Sequence, residues 1–354
     1  MFPDKIHRIL ESWGQLGRTG NDLSSWPTDF TRDISPIPCH SHNDYWRPVP
    51  LYSAISAGCI SVEADVWLFN GFDEDLYVGH STASLTRNRT LKNLYIDPLV
   101  EILEKQNPVT DFQRNNSAPL HGVFDADPSQ SLTLLIDFKT SGPALWPQVL
   151  TQLEPLRSRN YLTYFNGTAL IPGPITVVGT GNTPFDLLVS NTTYRDVFFD
   201  APLDEMWEDR DCQQAHENHP EDPADIAKTV AGDGPMKLPR SDRGQGKAGK
   251  SKPMRPDIYT TDNSYYASVS FGQAIGRMWR NRLSSRQMGL IRGQIRGAHR
   301  RGLRVRYWDL PNWPIGWRDH VWDVLVREGV DVLNVDDLEG ATKGDWGRRS
   351  RKWW

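Results

Sequence analysis

Short apolar segments alternate with amphipathic segments along most of the chain from residue 36 onward. Runs rich in β-branched and aromatic residues predict strands at 36–40, 59–67, 76–80, 132–139, 174–180, 196–201, 257–262, 302–309 and 330–337. Helical spacing is found in LYSAISAG (51–58), YIDPLVEILEKQ (95–106), QMGLIRGQIRGAHRRG (287–302) and WRDHVWDVLVREG (317–329). Buried strands that alternate with helices predict a parallel sheet covered by helices.

About eight strand-and-helix units over roughly 300 residues match the size of a (β/α)8 barrel. A doubly wound open sheet is the alternative. Many polar residues stand at or near the ends of apolar strands, and in a barrel those ends converge on one mouth. These residues are His40, Glu63, Asp65, Asp137, Asp200, Asp262, Asp309 and Asp336. We therefore predict an α/β fold, a (β/α)8 TIM barrel over residues 36–342, after an N-terminal extension at 1–35.

Residues 205–256 interrupt this pattern with an acidic half, a basic half and many Gly and Pro residues. Such a segment buries too little apolar surface to fold, so we predict a disordered loop insertion. Cys212, His216 and His219 lie in it, but structural zinc needs four ligands in a closed shell, which favours a solvated loop over a metal site. The basic aromatic tail at 343–354 either frays or contacts an anionic membrane surface.

Net charge and hydropathy narrow the classes of partner. The formal charge of −4 gives no reason to expect nucleic acid, because a surface that binds a polyanion usually carries a basic excess. No segment approaches the roughly 18 to 20 apolar residues that cross a bilayer, and the first ten residues lack the apolar region of a signal peptide. As written, the chain is expected to be soluble. Asn-x-Ser/Thr sequons at Asn88, Asn115, Asn166 and Asn191 would suit a secreted surface, but a few also arise by chance.

Cys39 and Cys59 fall on neighbouring predicted parallel strands. Cys39 ends its predicted strand and Cys59 begins the next, so several residues of about 3.3 Å rise each would separate the two sulfur atoms. We therefore predict free thiols at both positions.

The segment VEADVW places Glu63 and Asp65 two residues apart in an apolar strand, so both side chains share one face. Two buried carboxylates repel one another, and a cation between them offsets that cost. Asp137 in LLIDFK is a third such carboxylate, with Lys139 on the same face. Three carboxylates suit one oxygen-preferring divalent cation, Mg²⁺ before Ca²⁺. Lys139 then meets an anionic substrate, or else pairs with Asp137 or Glu63; the carboxylates alone are also compatible with arginine ion pairs.

Histidines flank these carboxylates in sequence. His80 closes LYVGH, the predicted hairpin partner or continuation of the strand that carries Glu63, while His40 and His42 lie in CHSHNDYW. Two histidines beside a carboxylate-bound cation can cleave a phosphodiester, since one removes a proton from the attacking hydroxyl and the other protonates the leaving oxygen. Each histidine alone is equally typical of a core residue or a polar turn.

Together these motifs resemble a known family. HNDY (42–45), SVEADVWL (61–68) and LYVGH (76–80), with the later YWDLP (307–311) and VLNVDDL (332–338), are similar to the fungal altered inheritance of mitochondria protein 6 family. That family belongs to the phospholipase-C-like and glycerophosphodiester phosphodiesterase superfamily of TIM barrels. The resemblance covers about residues 36–340 without the insertion. The HRG signature of the glycerophosphodiesterases is missing.

The resemblance implies a role for each matching position. His42 and His80 correspond to the catalytic histidines, with His40 as the alternative to His42, and Glu63, Asp65, Asp137 and the Asn43 amide correspond to the metal ligands. Trp308 stands at a strand end, where an aromatic residue either shapes a substrate pocket or simply packs.

We therefore expect a metal-dependent phosphoric diester hydrolase acting on a glycerophosphodiester or a phospholipid-type substrate. The expected partners are a small phosphodiester or lipid head group and no nucleic acid, with peripheral membrane contact and a cytoplasmic or mitochondrion-associated location both open. Two alternatives stay open: a barrel without activity that serves as a binding or regulatory protein in lipid or mitochondrial biology, and a metal-dependent hydrolase of another substrate.

Overall fold

The computed structural model describes residues 30–69, 75–109, 119–209, 256–278 and 282–344. Eight parallel strands form its centre: β1 Ile37–Ser41, β2 Cys59–Trp67, β3 Leu132–Phe138, β4 Ile175–Gly181, β5 Val197–Pro202, β6 Ser264–Ser270, β7 Arg304–Trp308 and β8 Val332–Val335. Each strand pairs with the next, and β8 pairs with β1, so the sheet closes on itself. The predicted (β/α)8 barrel is confirmed.

Helices cover the outside of the barrel. They are α1 Tyr52–Ser56, α2 Asp97–Gln106, α3 Gly142–Gln152, α4 Glu154–Arg157, α5 Phe185–Ser190, α6 Phe271–Ala274, α7 Ser285–Arg300, α8 Ile315–Glu328 and α9 Leu338–Thr342. A two-residue strand, Tyr77–Val78, pairs antiparallel with the end of β2, and the short strands Tyr164–Phe165 and Leu170–Ile171 form a hairpin before β4. No helix in the described ranges is long and apolar enough to cross a membrane.

The barrel interior has an apolar layer and a polar layer. Leu135, Val178, Tyr266 and Val332 pack together inside the barrel, apart from the larger core between strands and helices. Because side chains two residues apart on a strand share a face, the next inward positions are Asp137, Thr180, Ser268 and Asn334. The apolar layer therefore closes the barrel below a polar layer at the carboxyl ends of the strands.

The predicted strand at 257–262 is wrong. Residues 256–258 form a 3₁₀ turn, and Asn263 accepts and donates hydrogen bonds in the turn that follows, so the sixth strand begins at Ser264. Two of its inward residues, Ser268 and Ser270, are small and polar, which hides the strand from a search for apolar runs.

The prediction of free thiols is also wrong, because Cys39 and Cys59 form a disulfide with their Cα atoms 4.7 Å apart. The error lies in the register of the two strands. Cys59 pairs with Ile37 and Ser61 pairs with His40, with an irregularity between them, so Cys39 lies almost opposite Cys59 rather than several residues further along. Both cysteines are fully buried.

The predicted insertion at 205–256 is described only at its start and its last residue. Met206 is buried, and the Glu208 carboxylate pairs with Arg301, which ties residues 205–209 to helix α7. Residues 210–255, with Cys212, His216 and His219, lie outside the described ranges, as do residues 1–29 and 345–354 of the predicted extension and tail.

Candidate active site

Three buried carboxylates meet at the carboxyl ends of β2 and β3. Asp65 and Asp137 occupy paired positions of the two strands, and Glu63 lies two residues before Asp65 on the same face. One oxygen atom from each carboxylate lies within 4.8 Å of the other two. Asp65 Oδ1 is buried and makes no hydrogen bond with any described residue. The cluster predicted from the strand pattern is thus assembled.

Lys139 follows β3 and places its ammonium group against this cluster. Its Nζ atom lies 2.9 Å from Asp65 Oδ2 and 2.5 Å from Asp137 Oδ2. The ion pair with Asp137, one of the two outcomes expected from the sequence, is therefore present, and the side chain keeps 23% of its surface exposed.

A tight turn after β1 adds polar groups from the other side. Asn43 has a left-handed backbone, with φ of 47° and ψ of 47°, which asparagine tolerates better than most residues. Its backbone N–H donates to Glu63 Oε2 at 3.0 Å. The Tyr45 hydroxyl lies 2.8 Å from Asp65 Oδ2 and 2.5 Å from Asn43 Oδ1. The turn thereby fixes the Asn43 amide beside two of the carboxylates.

His42 and His80 lie next to different carboxylates of the cluster. His42 Nε2 is 3.8 Å from Glu63 Oε2, while its Nδ1 lies 2.7 Å from Asp336 Oδ1 at the end of β8. His80 Nδ1 is 3.7 Å from Asp65 Oδ2, and its ring packs against Trp46 with 5.1 Å between ring centroids. The side chains are 25% and 55% exposed, so solvent or a substrate can reach both.

His40 has a different environment. It is fully buried, its Nδ1 lies 2.7 Å from Ser61 Oγ, and its Nε2 stands 3.5 Å from Glu63 Oε2. Burial and the positive charge of Arg306 lower the pKa of His40 to about 4. A neutral, buried imidazole of this kind supports Glu63 from within the barrel.

The remaining groups of the site have pKa values shifted by burial and by neighbouring charges. Burial alone would raise the pKa of Glu63, but His42, His40 and Arg306 lower it well below the usual range. Burial and the charge of Asp65 raise the pKa of Asp137 to about 7, against the opposing effect of Lys139. Burial alone would lower the pKa of His42, but the carboxylates of Glu63 and Asp336 raise it. The charge on each of these groups therefore depends on the charges of its neighbours.

These residues fit a divalent cation. Glu63, Asp65 and Asp137 converge as oxygen donors, the unpartnered Asp65 Oδ1 has capacity for a further contact, and the Asn43 amide oxygen lies beside them. Hard cations such as Mg²⁺ and Ca²⁺ prefer such ligands.

A cavity of about 320 Å³ adjoins His42 at the carboxyl ends of β7 and β8. Its lining combines carboxylates, amides and apolar groups: His42, Asp309, Leu310, Asn312, Arg318, Trp322, Asn334, Asp336 and Asp337. Trp308 is partly buried at the end of β7 and is not one of the lining residues. The cavity is large enough for a small organic group beside the His42 ring.

Several residues at the site were not singled out from the sequence. The guanidinium of Arg47 donates to the backbone carbonyls of His42, Val335 and Asp336, which holds the turn after β1 against β8. Arg306 is buried inside the barrel and donates to Asn334 Oδ1. The period of two in RVRYW would have placed Arg306 on the same face as Trp308, but nothing in the sequence identifies its partners.

Comparison with known proteins places the chain in a family. The model of the AIM6-like phosphodiesterase domain family matches residues 28–200. A homolog of altered inheritance of mitochondria protein 6 from Arthroderma benhamiae is 40% identical over 326 residues, which cover 89% of this chain and 86% of the relative. The protein of that name from Eremothecium gossypii is 34% identical over 319 residues, which cover 89% of this chain and 71% of the relative. No solved structure matches at a significant level. This chain therefore belongs to the altered inheritance of mitochondria protein 6 family.

Proposed function

We propose that the protein is a metal-dependent phosphoric diester hydrolase that acts on a glycerophosphodiester or a phospholipid-type substrate. The observation that carries the proposal is the placement of two accessible histidines, His42 and His80, against different members of one buried carboxylate cluster. The description of the matched family model as a phosphodiesterase domain supports the same reaction class.

In this proposal the two imidazoles transfer the protons. Asp336 holds His42 through Nδ1, which leaves Nε2 directed to the carboxylate cluster for proton exchange with the substrate. His80 serves as its counterpart on the Asp65 side. One imidazole accepts the proton of the attacking water or hydroxyl, and the other donates a proton to the leaving oxygen. His42 is preferred over His40 because His40 is fully buried.

The divalent cation, Mg²⁺ in preference to Ca²⁺, would be held by Glu63, Asp65, Asp137 and Asn43. When bound, such a cation withdraws charge from the phosphoryl oxygens. Lys139 lies beside these ligands, where its ammonium group can contact the phosphate, and the cavity next to His42 receives one arm of the diester. In this proposal Trp308, partly buried at the end of β7, contacts the substrate from that side.

Hydrolysis assays on a panel of phosphodiesters test the proposal. Bis(p-nitrophenyl) phosphate, glycerophosphocholine and lysophosphatidylcholine are each supplied with Mg²⁺, Mn²⁺, Ca²⁺ or a chelator. We expect metal-dependent turnover that falls by about 10²- to 10⁴-fold in His42→Ala and in His80→Ala. Glu63→Gln should weaken the response to metal.

His121→Ala is the matched control, because this exposed histidine lies in the loop before β3, at the opposite end of the barrel. It should retain full activity. Turnover that ignores the chelator, or that survives in His42→Ala and His80→Ala, would contradict the proposed site. A folded protein without turnover on any substrate would favour the non-catalytic binding role.

A further inference from the structure

Two Asn-x-Thr triplets form adjacent turns at the end of the barrel opposite to the carboxylate cluster. Asn166-Gly167-Thr168 joins the short strands before β4, and Asn191-Thr192-Thr193 joins α5 to β5. Both turns precede a barrel strand and therefore lie at the amino-terminal end of the barrel, whereas the carboxylates lie at the carboxyl end. Phe165 and Arg195 exchange backbone hydrogen bonds, which fixes the two turns side by side.

The two turns have the same hydrogen-bond pattern. Asn166 Oδ1 accepts from the backbone N–H of Thr168 at 3.0 Å and from its hydroxyl at 2.9 Å. Asn191 Oδ1 accepts from the backbone N–H and the hydroxyl of Thr193, both at 3.0 Å. The asparagines and these threonines are exposed, and neither Nδ2 atom donates a hydrogen bond to any described residue. Each turn thus presents its amide nitrogen to solvent.

The third described sequon differs. Thr90 of Asn88-Arg89-Thr90 is buried, and its hydroxyl accepts a hydrogen bond from the backbone of Asn93. Arg89 bonds to the backbone of Tyr45 beside the candidate active site. This triplet is built into the fold, so the inference is confined to the two exposed turns.

The Cys39–Cys59 disulfide is an independent observation that bears on the compartment. Disulfides form and persist in oxidising compartments and are rare in the cytosol, where thiols are kept reduced. Both cysteines are fully buried between β1 and β2, in the strands that carry His40 and Glu63. A structural disulfide and surface sequons both belong to proteins that mature in the secretory pathway.

We propose that Asn166 and Asn191 are N-glycosylation sites and that the chain matures in an oxidising secretory lumen. The co-reactant is a lipid-linked pyrophosphoryl oligosaccharide. The bond between its anomeric carbon and the pyrophosphate oxygen breaks, a bond from that carbon to the asparagine Nδ2 forms, the amide loses one proton, and the lipid pyrophosphate leaves. The attached glycans project from the amino-terminal end of the barrel, away from the site mouth.

Peptide mapping of the protein purified from the cells that produce it tests the proposal directly. Release of N-glycans by peptide-N-glycosidase in heavy-oxygen water converts each modified asparagine to a labelled aspartate. We expect the label at residues 166 and 191, and we expect Cys39 and Cys59 to resist alkylation until they are reduced. Recovery of both peptides as unlabelled asparagine would overturn the proposal.

Variants of the full chain, carried into a eukaryotic secretory host by a cleavable leader, locate the glycans. After trimming to one N-acetylhexosamine per site, Asn166→Gln and Asn191→Gln should each lose the mass of one such sugar. Thr168→Ser keeps the sequon and should keep its sugar, whereas Thr168→Val should lose it. Wild-type protein that leaves this host with both asparagines unmodified would also overturn the proposal. Phosphodiester turnover is a separate readout, which Asn166→Gln should leave unchanged.

Discussion

Lys139 places a positive charge in the carboxylate cluster itself. Its ammonium group contacts Asp65 and Asp137, and these carboxylates raise the pKa of Lys139 above its usual value although burial opposes the change. Lys139 therefore offsets part of the repulsion that a divalent cation would also offset. The stability of the protein without metal should depend on this one side chain, and the effect of added metal should grow when it is removed.

Substitution Lys139→Met tests this dependence. Removing one partner of a buried ion group leaves charge uncompensated, so we expect the free energy of unfolding to fall by about 3–5 kcal/mol without metal. Added Mg²⁺ should restore more stability to the variant than to wild type, since binding to the native state stabilises it. Urea denaturation with and without Mg²⁺ measures both quantities.

Lys105→Met provides the comparison, because Lys105 pairs with Glu101 on the surface of α2 and such pairs contribute only about 0.3–0.5 kcal/mol. If Lys139→Met were no more harmful than Lys105→Met, Lys139 would not be compensating the cluster.

Gly181 makes room for one of the candidate ligands. It ends β4 with φ of +66°, and a Cβ atom on it would stand 2.0 Å from Asp137 Oδ1. Gly181→Ala must therefore displace the Asp137 carboxylate in addition to straining the backbone. We expect a loss of stability greater than the roughly 1–2 kcal/mol of left-handed strain alone, and a weaker stabilisation by Mg²⁺.

Gly276→Ala isolates the strain, because Gly276 has φ of +84° with no atom within 4 Å of its Cβ position. Thermal unfolding of both variants with and without Mg²⁺ separates the two effects. An unchanged metal response in Gly181→Ala would argue that Asp137 is not a ligand.

Among the strands, the sequence pattern located β2 over its full length but missed β6, whose outward residues in the core are Ala267 and Val269. β2 extends over the predicted residues 59–67, because its outward residues Val62, Ala64 and Val66 pack in the core. β6 was misplaced because its inward serines face a polar interior, and a pattern search weighs only apolar runs. The period of two predicted which carboxylates meet, whereas register between strands decided the disulfide.

A single sequence does not predict the contacts that form where the first and last strands of the barrel pair. His42 meets Asp336 although the two are 294 positions apart, and only the pairing of β1 with β8 brings them together. The acidic strand end at Asp336 was visible in the sequence, but its partner was not. The same holds for Arg306 on β7, whose guanidinium lies 3.3 Å from Asp200 Oδ2 on β5.

Arg306→Met tests the ion pair that links β7 to β5. Both side chains are almost wholly buried, so removing the arginine leaves the Asp200 carboxylate without its charge partner. We expect a loss of about 3–5 kcal/mol in the free energy of unfolding. The double variant Arg306→Met with Asp200→Leu should recover most of it, because neither member of this pair is then left buried without its partner.

Arg304→Met is the control on the same strand, since Arg304 is exposed and contacts only the ring face of Tyr265 among its described interactions. Urea denaturation of the wild type, Arg306→Met, Asp200→Leu and the double variant measures the coupling, with Arg304→Met beside them. A double variant less stable than Arg306→Met would contradict the ion-pair account.

For the molecule as a whole, the junction of β1 and β8, which closes the barrel, also fixes the position of the turn that carries His42. The His42 backbone N–H donates to Val335 O at 3.1 Å, and Arg47 bonds to carbonyls on both sides of the junction between β1 and β8. On the other side of β1, the Cys39–Cys59 disulfide joins it to β2. β1, which carries His40 and leads directly into His42, is thus fixed to its two neighbours by different means.

The double variant Cys39→Ala with Cys59→Ala removes the covalent link without leaving a thiol at either position. The disulfide closes a segment with a sequence separation of 20 residues. A loop of that size should cost about 3 kcal/mol of stability when it is opened, because the unfolded chain gains freedom. The hydrogen bonds of β1 to β8 and β2 remain, so the folded variant should keep its metal response.

Cys212→Ala is the control, because the third cysteine lies outside the described residues and takes no part in this disulfide. It should unfold at the wild-type urea concentration, while the double variant unfolds earlier. Reduction of the wild-type protein in urea should reproduce the double variant, since both open the same loop. Equal stability of the oxidised wild type and the double variant would show that backbone pairing alone holds β1 in the closed barrel.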